Sequence, residues 1–203
     1  MWANLAIRIN EEHEQKMSKA VVFLAPGFEE IETCTIIDIL RRCGVEVIVA
    51  GLGPNEVIGS HELRIIPDKS IDEVHIEDFD AVVCPGGYPG YENLRKDKRV
   101  LSLVKEAFNQ NKLIAAICGA PSVLSEAGVL KGKTCTIYPG LEDKLKKGGG
   151  KPKKDIVVVD GNIITSQGPA TAFVFSLKLA ERLVGRETVD EVSKATLADI
   201  ALR

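Results

Sequence analysis

Apolar stretches and helix-like patterns alternate along the chain. Short runs rich in β-branched and other apolar residues predict buried strands, which we place at Ala20–Ala25, Val45–Ala50, Asp80–Cys84, Leu113–Ile117, Thr134–Ile137, Ile156–Asp160 and Asn162–Ser166. Segments whose apolar residues recur at helical spacing predict helices, which we place at Glu30–Arg42, Val100–Gln110, Gly119–Ala127, Leu141–Lys147, Ala170–Leu183 and Thr188–Ala195. This alternation predicts an α/β fold, a doubly wound sandwich with a mostly parallel central sheet and helices on both faces.

Three connections need separate predictions. Glu56–Ile66 is predicted to be an extended excursion with a hairpin around Gly59-Ser60. Gly148–Lys154 is rich in glycine and lysine, which favours an exposed loop. Gly161 separates the last two strands and predicts a hairpin between them.

Length and charge limit the possible classes of protein. A chain of 203 residues that is 45% hydrophobic fits one compact domain, which we assign to residues 17–203. Residues 1–16 do not resemble a signal peptide, and we expect a poorly ordered extension there. The net charge of -3 offers no basic surface for nucleic acid. No apolar stretch approaches the ~20 residues of a membrane span.

The five cysteines are irregularly spaced and form no C-x-x-C pair, which argues against a zinc ribbon or a thioredoxin motif. Free thiols fit a reducing compartment, so we expect a cytoplasmic protein. The sequence contains no ligand cluster for a metal or an organic cofactor, and we expect neither.

Ligands of doubly wound sheets bind beyond the carboxyl ends of the strands. Four segments are expected to meet there, and three of them are Gly/Pro-bearing turns that directly follow a predicted strand. The segments are Pro26–Thr33, Cys84–Gly90, Ile117–Pro121 and Ser166–Thr171.

Cys118 ends the most apolar strand and is followed at once by a predicted helix. This layout is typical of a nucleophile elbow, which exposes a reactive side chain at the top of the sheet. A thiol near a helix N-terminus is expected to have a lowered pKa. The alternative is that Cys118 is one more small buried residue.

Gly86 and Gly87 form the second candidate feature. Backbone without side chains can approach a ligand closely, and its N–H groups can bind a developing oxyanion. A bare P-G-G is more commonly an ordinary turn, so this motif matters only if it lies beside Cys118.

An acidic group, Glu29, Glu30 and Glu32, opens the first helix. Acidic residues are common at helix N-termini for electrostatic reasons alone. One of them can instead point inward, where a buried carboxyl would be protonated and could donate a hydrogen bond to a thiolate.

The histidines His13, His61 and His75 all precede Cys118. A Cys–His pair with the histidine downstream is therefore impossible. His61 lies in the excursion and either reaches the site or is a surface residue, which is the commoner case.

Four motifs together resemble the ThiJ/PfpI superfamily, in particular the YajL-like branch that includes the human parkinsonism-associated deglycase. They are G-F-E-E-I-E-T, V-V-C-P-G-G, L-I-A-A-I-C-G-A-P and I-T-S-Q-G-P-A-T-A-F, in family order and at near-matching spacing from about Lys19 to Val184. The resemblance implies a flavodoxin-like fold and a homodimer.

The resemblance also implies roles for single residues. Cys118 matches the family's oxidisable nucleophile, and Glu32 matches the protonated glutamate that hydrogen-bonds it. Gly86 and Gly87 match the glycines that line the pocket, and Gly119 is expected to add an N–H group to an oxyanion site. The family pattern has a histidine where this chain has Tyr138.

Two further departures from the pattern concern basic residues. An arginine is expected where Gln167 stands, and His61 stands where relatives carry another arginine. Tyr138 and His61 are therefore possible accessory residues. This chain has fewer basic groups that could bind an anion than the family pattern has.

The leading hypothesis is a cofactor-free glyoxalase or deglycase. Cys118 would attack a 2-oxoaldehyde such as methylglyoxal, or the aldehyde released from a glycated protein or nucleotide. Two alternatives remain open: a redox-sensing chaperone that works through oxidation of Cys118, and a PfpI-type cysteine peptidase. The lack of a histidine directly after Cys118 counts against the peptidase.

Overall fold

A computed structural model describes residues 17–53 and 55–202. Residues 1–16, predicted to form an extension, lie outside the described residues. The eleven described strands are β1 Lys19–Leu24, β2 Glu46–Gly51, β3 Val57–Ile58, β4 Arg64–Ile65, β5 Lys69–Ser70, β6 Ala81–Cys84, β7 Leu113–Ile117, β8 Thr134–Cys135, β9 Lys151–Pro152, β10 Val157–Asp160 and β11 Ile163–Ser166. The eight described helices are α1 Glu30–Arg42, α2 Gly90–Lys96, α3 Lys98–Asn109, α4 Pro121–Glu126, α5 Glu142–Lys147, α6 Ala172–Val184, α7 Arg186–Ala195 and α8 Ala198–Ala201.

Seven strands form the central sheet, in the order β10-β11-β7-β6-β1-β2-β5. All neighbours are parallel except β10 and β11, which form the hairpin predicted around Gly161. The chain order reverses between β1 and β6. In sheets of this kind the crevice beyond such a reversal is the usual place for a ligand.

Helices cover both faces of the sheet, as predicted. On one face α1 and α6 contribute Ile36, Ile39 and Phe175 to a core with Val22 and Ile117. On the other face α3 and α4 pack against the opposite sides of the same strands. Because β7 is covered on both faces, its side chains can all be apolar, which explains the run Leu113–Ile117.

Helix α1 has the predicted bounds, Glu30–Arg42. The Glu29 carboxylate caps its first turn by accepting the Glu32 N–H at 2.7 Å. Gly44 follows its end with a φ of +78°, the left-handed geometry expected there. The cap fixes where α1 starts and therefore which way Glu32 points.

The predicted excursion is confirmed as a small hairpin of β3 and β4. The predicted helix Thr188–Ala195 is confirmed within α7, and a short α8 follows it. One prediction was wrong: the Gly148–Lys154 segment is not only a loop, because β9 lies in it and pairs with β8. Helix α2 was not predicted, because Pro89 and Gly90 open it and both residues usually mark a turn.

Every helix in the described part of the chain is too short or too polar to cross a membrane.

Candidate active site

The four predicted segments meet at one edge of the sheet. They follow β1, β6, β7 and β11, which are consecutive neighbours in the sheet. Hydrogen bonds join them: the Glu29 N–H donates to the Gly86 carbonyl at 3.0 Å, and the Cys118 N–H donates to the Ser166 carbonyl at 3.1 Å. The segments thus form one continuous wall around Cys118.

Cys118 occupies a sharp turn directly after β7. Its φ is +62°, in the left-handed region that residues with a Cβ rarely adopt. Its carbonyl accepts the Tyr138 N–H at 2.8 Å, so both of its backbone polar groups are held. This is the elbow geometry that the sequence predicts, and the half-buried Cys118 lies at the rim of the core between the sheet and helices α1 and α6.

Two backbone N–H groups, those of Gly87 and Gly119, donate to the Cys118 sulfur. The Glu32 side chain also interacts with the thiol. The sulfur therefore lies among hydrogen-bond donors supplied by three of the four segments. The same N–H groups were predicted to serve an oxyanion, which would form next to the sulfur they now contact.

Glu32 is fully buried, and it is the acid of the three that points inward. Its Oε2 accepts the Gly86 N–H at 2.8 Å. Its Oε1 is buried and has no hydrogen-bond partner among the described residues. Burial raises the pKa of Glu32 to about 8, with a smaller contribution from the negative charge of Glu29. The carboxyl is therefore mostly protonated at neutral pH.

The pKa of the Cys118 thiol corrects a sequence prediction. Burial raises this pKa to about 12, the Glu32 charge adds to the effect, and the N–H groups of Gly87 and Gly119 oppose it. The predicted lowering assumed a helix N-terminus at the thiol. Helix α4 begins only at Pro121 and has 6 residues, so desolvation outweighs its dipole.

Glycine is required at all three predicted pocket positions. A Cβ on Gly86 would lie 2.5 Å from Cys118 Cβ and 2.7 Å from Glu32 Oε2. A Cβ on Gly119 would lie 2.4 Å from the Tyr91 ring. Gly87 has a φ of +92°, and a Cβ there would lie 2.2 Å from the Glu29 nitrogen.

The family of this chain follows from direct comparison. The sequence model of the DJ-1/PfpI family matches residues 18–182. Protein dj-1beta of Drosophila melanogaster is 45% identical over 183 residues, which cover 89% of this chain and 98% of the fly protein. The chain belongs to the DJ-1/PfpI family.

Its relatives also support the fold. The crystal structure of Drosophila melanogaster DJ-1beta is similar with a TM-score of 0.84 and 44% identity, and covers 89% of this chain and 98% of that chain. The Caenorhabditis elegans relative, "Glutathione-independent glyoxalase DJR-1.2", is 36% identical over 176 residues, which cover 86% of this chain and 94% of the relative. The predicted superfamily and the flavodoxin-like fold are confirmed.

The two predicted accessory residues, Tyr138 and His61, have different surroundings. Tyr138 adjoins Cys118 through its backbone, and its ring lies against Gly168. His61 is exposed and pairs with Glu30, whose carboxylate raises the pKa of the His61 imidazole. Gln167 donates to Thr136 Oγ1 and to the Lys154 carbonyl rather than to the Cys118 side chain.

Glu29, Glu30 and His61 bring one possible metal-ligand atom each within 4.8 Å of one another. These groups already have protein partners. The Glu29 carboxylate caps α1, while Glu30 accepts from the His61 backbone and Ser60 hydroxyl. We assign no ion to this group.

Sequence reasoning missed Tyr91, whose buried ring packs over Gly119. Its aromatic ring fills the space that makes a side chain at position 119 impossible. The available signal was the pair of tyrosines in the turn C-P-G-G-Y-P-G-Y.

The raised pKa of Glu32 predicts a pH-dependent stability. Such a carboxyl stabilises the fold while protonated, so this contribution is full below the unfolded value near 4.5 and lost as the pH rises through about 8. Between these values the free energy of unfolding should fall by about 1.4 kcal/mol per pH unit relative to Glu32→Gln, which has no proton to lose. Urea unfolding of both proteins across this range tests the prediction, and parallel curves would contradict it.

Steric exclusion at Gly87 predicts that Gly87→Ala is far more harmful than Gly140→Ala. The two glycines have φ values of +92° and +94°, but only Gly87 has atoms within 4 Å of a Cβ position. Both variants carry the positive-φ cost of about 1 kcal/mol. Gly87→Ala should lose further stability in urea unfolding and change the alkylation rate of Cys118. Equal losses in the two variants would refute the steric explanation.

Proposed function

We propose that this protein is a cysteine-dependent, cofactor-free glyoxalase that converts 2-oxoaldehydes to 2-hydroxy acids. The observation that carries the proposal is a buried, protonated Glu32 beside the half-buried Cys118 thiol, with the Gly87 and Gly119 N–H groups donating to the same sulfur. A nucleophile, a proton carrier and an oxyanion site are the groups this reaction needs.

In the first step the Cys118 sulfur bonds to the aldehyde carbon, C1, and the thiol proton ends on the aldehyde oxygen. The product is a hemithioacetal. Because the Gly87 and Gly119 N–H groups already face the sulfur, they are close enough to bind the negative charge that develops on the neighbouring oxygen.

In the second step Glu32 gives its own proton to the C2 oxygen and takes the proton from C1, which forms an enediol. It then delivers that proton to C2 and regains one from the C1 hydroxyl group. A carboxyl with a pKa of about 8 can both accept and donate a proton near neutral pH. C1 is oxidised to a thioester while the C2 carbonyl is reduced to an alcohol, so no external oxidant is needed. Water then hydrolyses the thioester, which releases the 2-hydroxy acid and restores the thiol.

The high pKa of the Cys118 thiol does not prevent this route. A resting thiol brings its own proton to the aldehyde oxygen, and the unpartnered Oε1 of Glu32 offers a place for that proton to pass. The name of the Caenorhabditis elegans relative, a glutathione-independent glyoxalase, supports the same reaction class. Release of the aldehyde from glycated proteins or nucleotides would extend the same chemistry to deglycation.

A redox sensor or redox-controlled chaperone is the second candidate. If Cys118 were oxidised to the sulfinic acid, its oxygens would meet the N–H groups of Gly87 and Gly119 and the protonated Glu32 carboxyl. This candidate uses the same donors but requires no turnover.

Turnover of methylglyoxal without glutathione distinguishes the two candidates. We expect the purified protein to form lactate, and we expect Cys118→Ser and Glu32→Gln each to lower the rate by about 100-fold or more, because each removes a reacting group. Cys34→Ser is the matched control, since Cys34 is an exposed thiol on α1. This control should keep full activity.

Absence of lactate from a folded protein with reduced Cys118 would reject the glyoxalase proposal. The redox candidate would then be tested by mass spectrometry after peroxide treatment, where Cys118 should gain two oxygen atoms and Glu32→Gln should reduce that gain. Full activity in Cys118→Ser would reject both candidates for this site.

We also propose that the protein is a homodimer formed through the N-terminal half of α1 and the β3–β4 hairpin. Ile31 on α1 is 58% exposed, and Ile66, next to β4, is 80% exposed. Glu30 hydrogen-bonds Ser60 and His61, so the start of α1 and the hairpin lie side by side. Exposed apolar side chains on adjacent elements are a common mark of an interface.

A charge at the proposed interface should separate the subunits. We expect the wild type to sediment as a dimer and Ile31→Glu to sediment as a monomer, because an unpaired carboxylate would be buried. Ile200→Glu is the control, since Ile200 on α8 is 63% exposed. A monomeric wild type, or a dimeric Ile31→Glu, would overturn this proposal.

A further inference from the structure

All three tyrosines of the chain adjoin Cys118. Tyr88 directly follows Gly87, whose N–H donates to the sulfur. Tyr91 packs its ring over Gly119, the residue after Cys118. Tyr138 donates its backbone N–H to the Cys118 carbonyl at 2.8 Å. The chain's three tyrosines thus lie in segments that adjoin the Cys118 turn, although Tyr138 is far from the other two in sequence.

Tyr88 and the Tyr138 ring lie next to elements on opposite sides of β7. Tyr88 belongs to the segment after β6, while Tyr138 follows β8 and packs its ring against Gly168, in the segment after β11. Strand β7, which ends one residue before Cys118, runs between β6 and β11. Neighbouring strands are about 4.8 Å apart, so the segments that follow β6 and β11 are about 10 Å apart. The two tyrosines thus flank the Cys118 turn from two sides.

The two flanking rings are exposed, and the third is fixed. Tyr88 is 73% exposed and Tyr138 is 49% exposed, whereas Tyr91 is buried. Tyr88 contacts Tyr91 with ring centroids 6.2 Å apart and tilted by 57°, which holds one edge of its ring and leaves the rest open. Each exposed ring therefore presents aromatic surface to solvent near the Cys118 turn.

The cation nearest the Tyr91 ring is already paired. Lys144 lies 5.2 Å from the Tyr91 ring centroid, and its ammonium group forms an ion pair with Glu92. Glu92 also pairs with Arg95. A ligand at this position would meet aromatic surface rather than an unpaired cation, which favours a ring over a charged group.

We propose that Tyr88 and Tyr138 are specificity-determining residues that make the site prefer 2-oxoaldehydes bearing an aromatic ring over methylglyoxal. The proposal rests on the glyoxalase function proposed above. The aromatic ring of the substrate stacks against the tyrosine rings while its aldehyde carbon meets the Cys118 sulfur. The reaction balances as before: an arylglyoxal and one water give a 2-hydroxy-2-arylacetic acid, with C1 oxidised and C2 reduced.

The test compares kcat/KM for phenylglyoxal, measured as mandelate, with kcat/KM for methylglyoxal, measured as lactate. Tyr88→Ala and Tyr138→Ala should each lower the phenylglyoxal-to-methylglyoxal ratio by about fivefold, the size expected for one lost aromatic contact. Tyr88→Phe should keep the ratio, because it retains the ring. Ile200→Ala removes an exposed apolar side chain from α8 and should also leave the ratio unchanged.

The change of ratio between wild type and variant is decisive, because the intrinsic reactivities of the two aldehydes cancel in it. A ratio that stays constant in both alanine variants would overturn the proposal. A ratio that falls equally in Ile200→Ala would do the same.

A second readout separates this proposal from the failure of turnover. In Glu32→Gln, the concentration of each aldehyde that protects Cys118 from iodoacetamide is measured by mass spectrometry. Phenylglyoxal should protect at a lower concentration than methylglyoxal. In the double variant with Tyr88→Ala, the ratio of the two protecting concentrations should be about fivefold closer to one. Protection with this pattern but without wild-type turnover would retain the ring preference and reject the glyoxalase function. If Tyr88→Ala leaves the ratio of protecting concentrations unchanged, the ring preference alone is rejected.

Discussion

The hydrogen bond from the Gly86 N–H to the Glu32 carboxyl is the contact on which the site depends. It joins α1, which follows β1, to the turn after β6, at the point where the strand order reverses. Because the carboxyl is buried, it keeps its proton near neutral pH. This contact joins the two segments, whereas burial sets the protonation state of the carboxyl beside Cys118, because its effect on the pKa outweighs the opposing effect of the Gly86 N–H.

Close backbone packing transmits this constraint to the thiol. Gly86 approaches the Cys118 side chain so closely that a single added carbon would displace it, and Gly119 is covered by Tyr91 in the same way. The left-handed turn at Cys118 is retained because its N–H and carbonyl are bound to Ser166 and Tyr138. Strain of this kind persists only where the surroundings determine the conformation completely.

Membership of the DJ-1/PfpI family defines the fold, but family and fold do not define a substrate. Here the edge of the site is aromatic, with Tyr88 and Tyr138 exposed, and the nearby Lys144 is neutralised by Glu92. The reaction class and the choice of substrate are therefore separate properties of the same site.

The sequence by itself determined the α/β fold, the bounds of α1 and the turn at Cys118, because periodicity, capping and small residues act locally. It also limited the inward-pointing acid to three candidates. From these the family resemblance singled out Glu32. Only the tertiary structure showed that Glu32 is buried, placed Tyr91 over Gly119 and showed that the thiol pKa is raised. Burial and contacts between distant segments decide these properties, and neither is encoded in the spacing of residues along the chain.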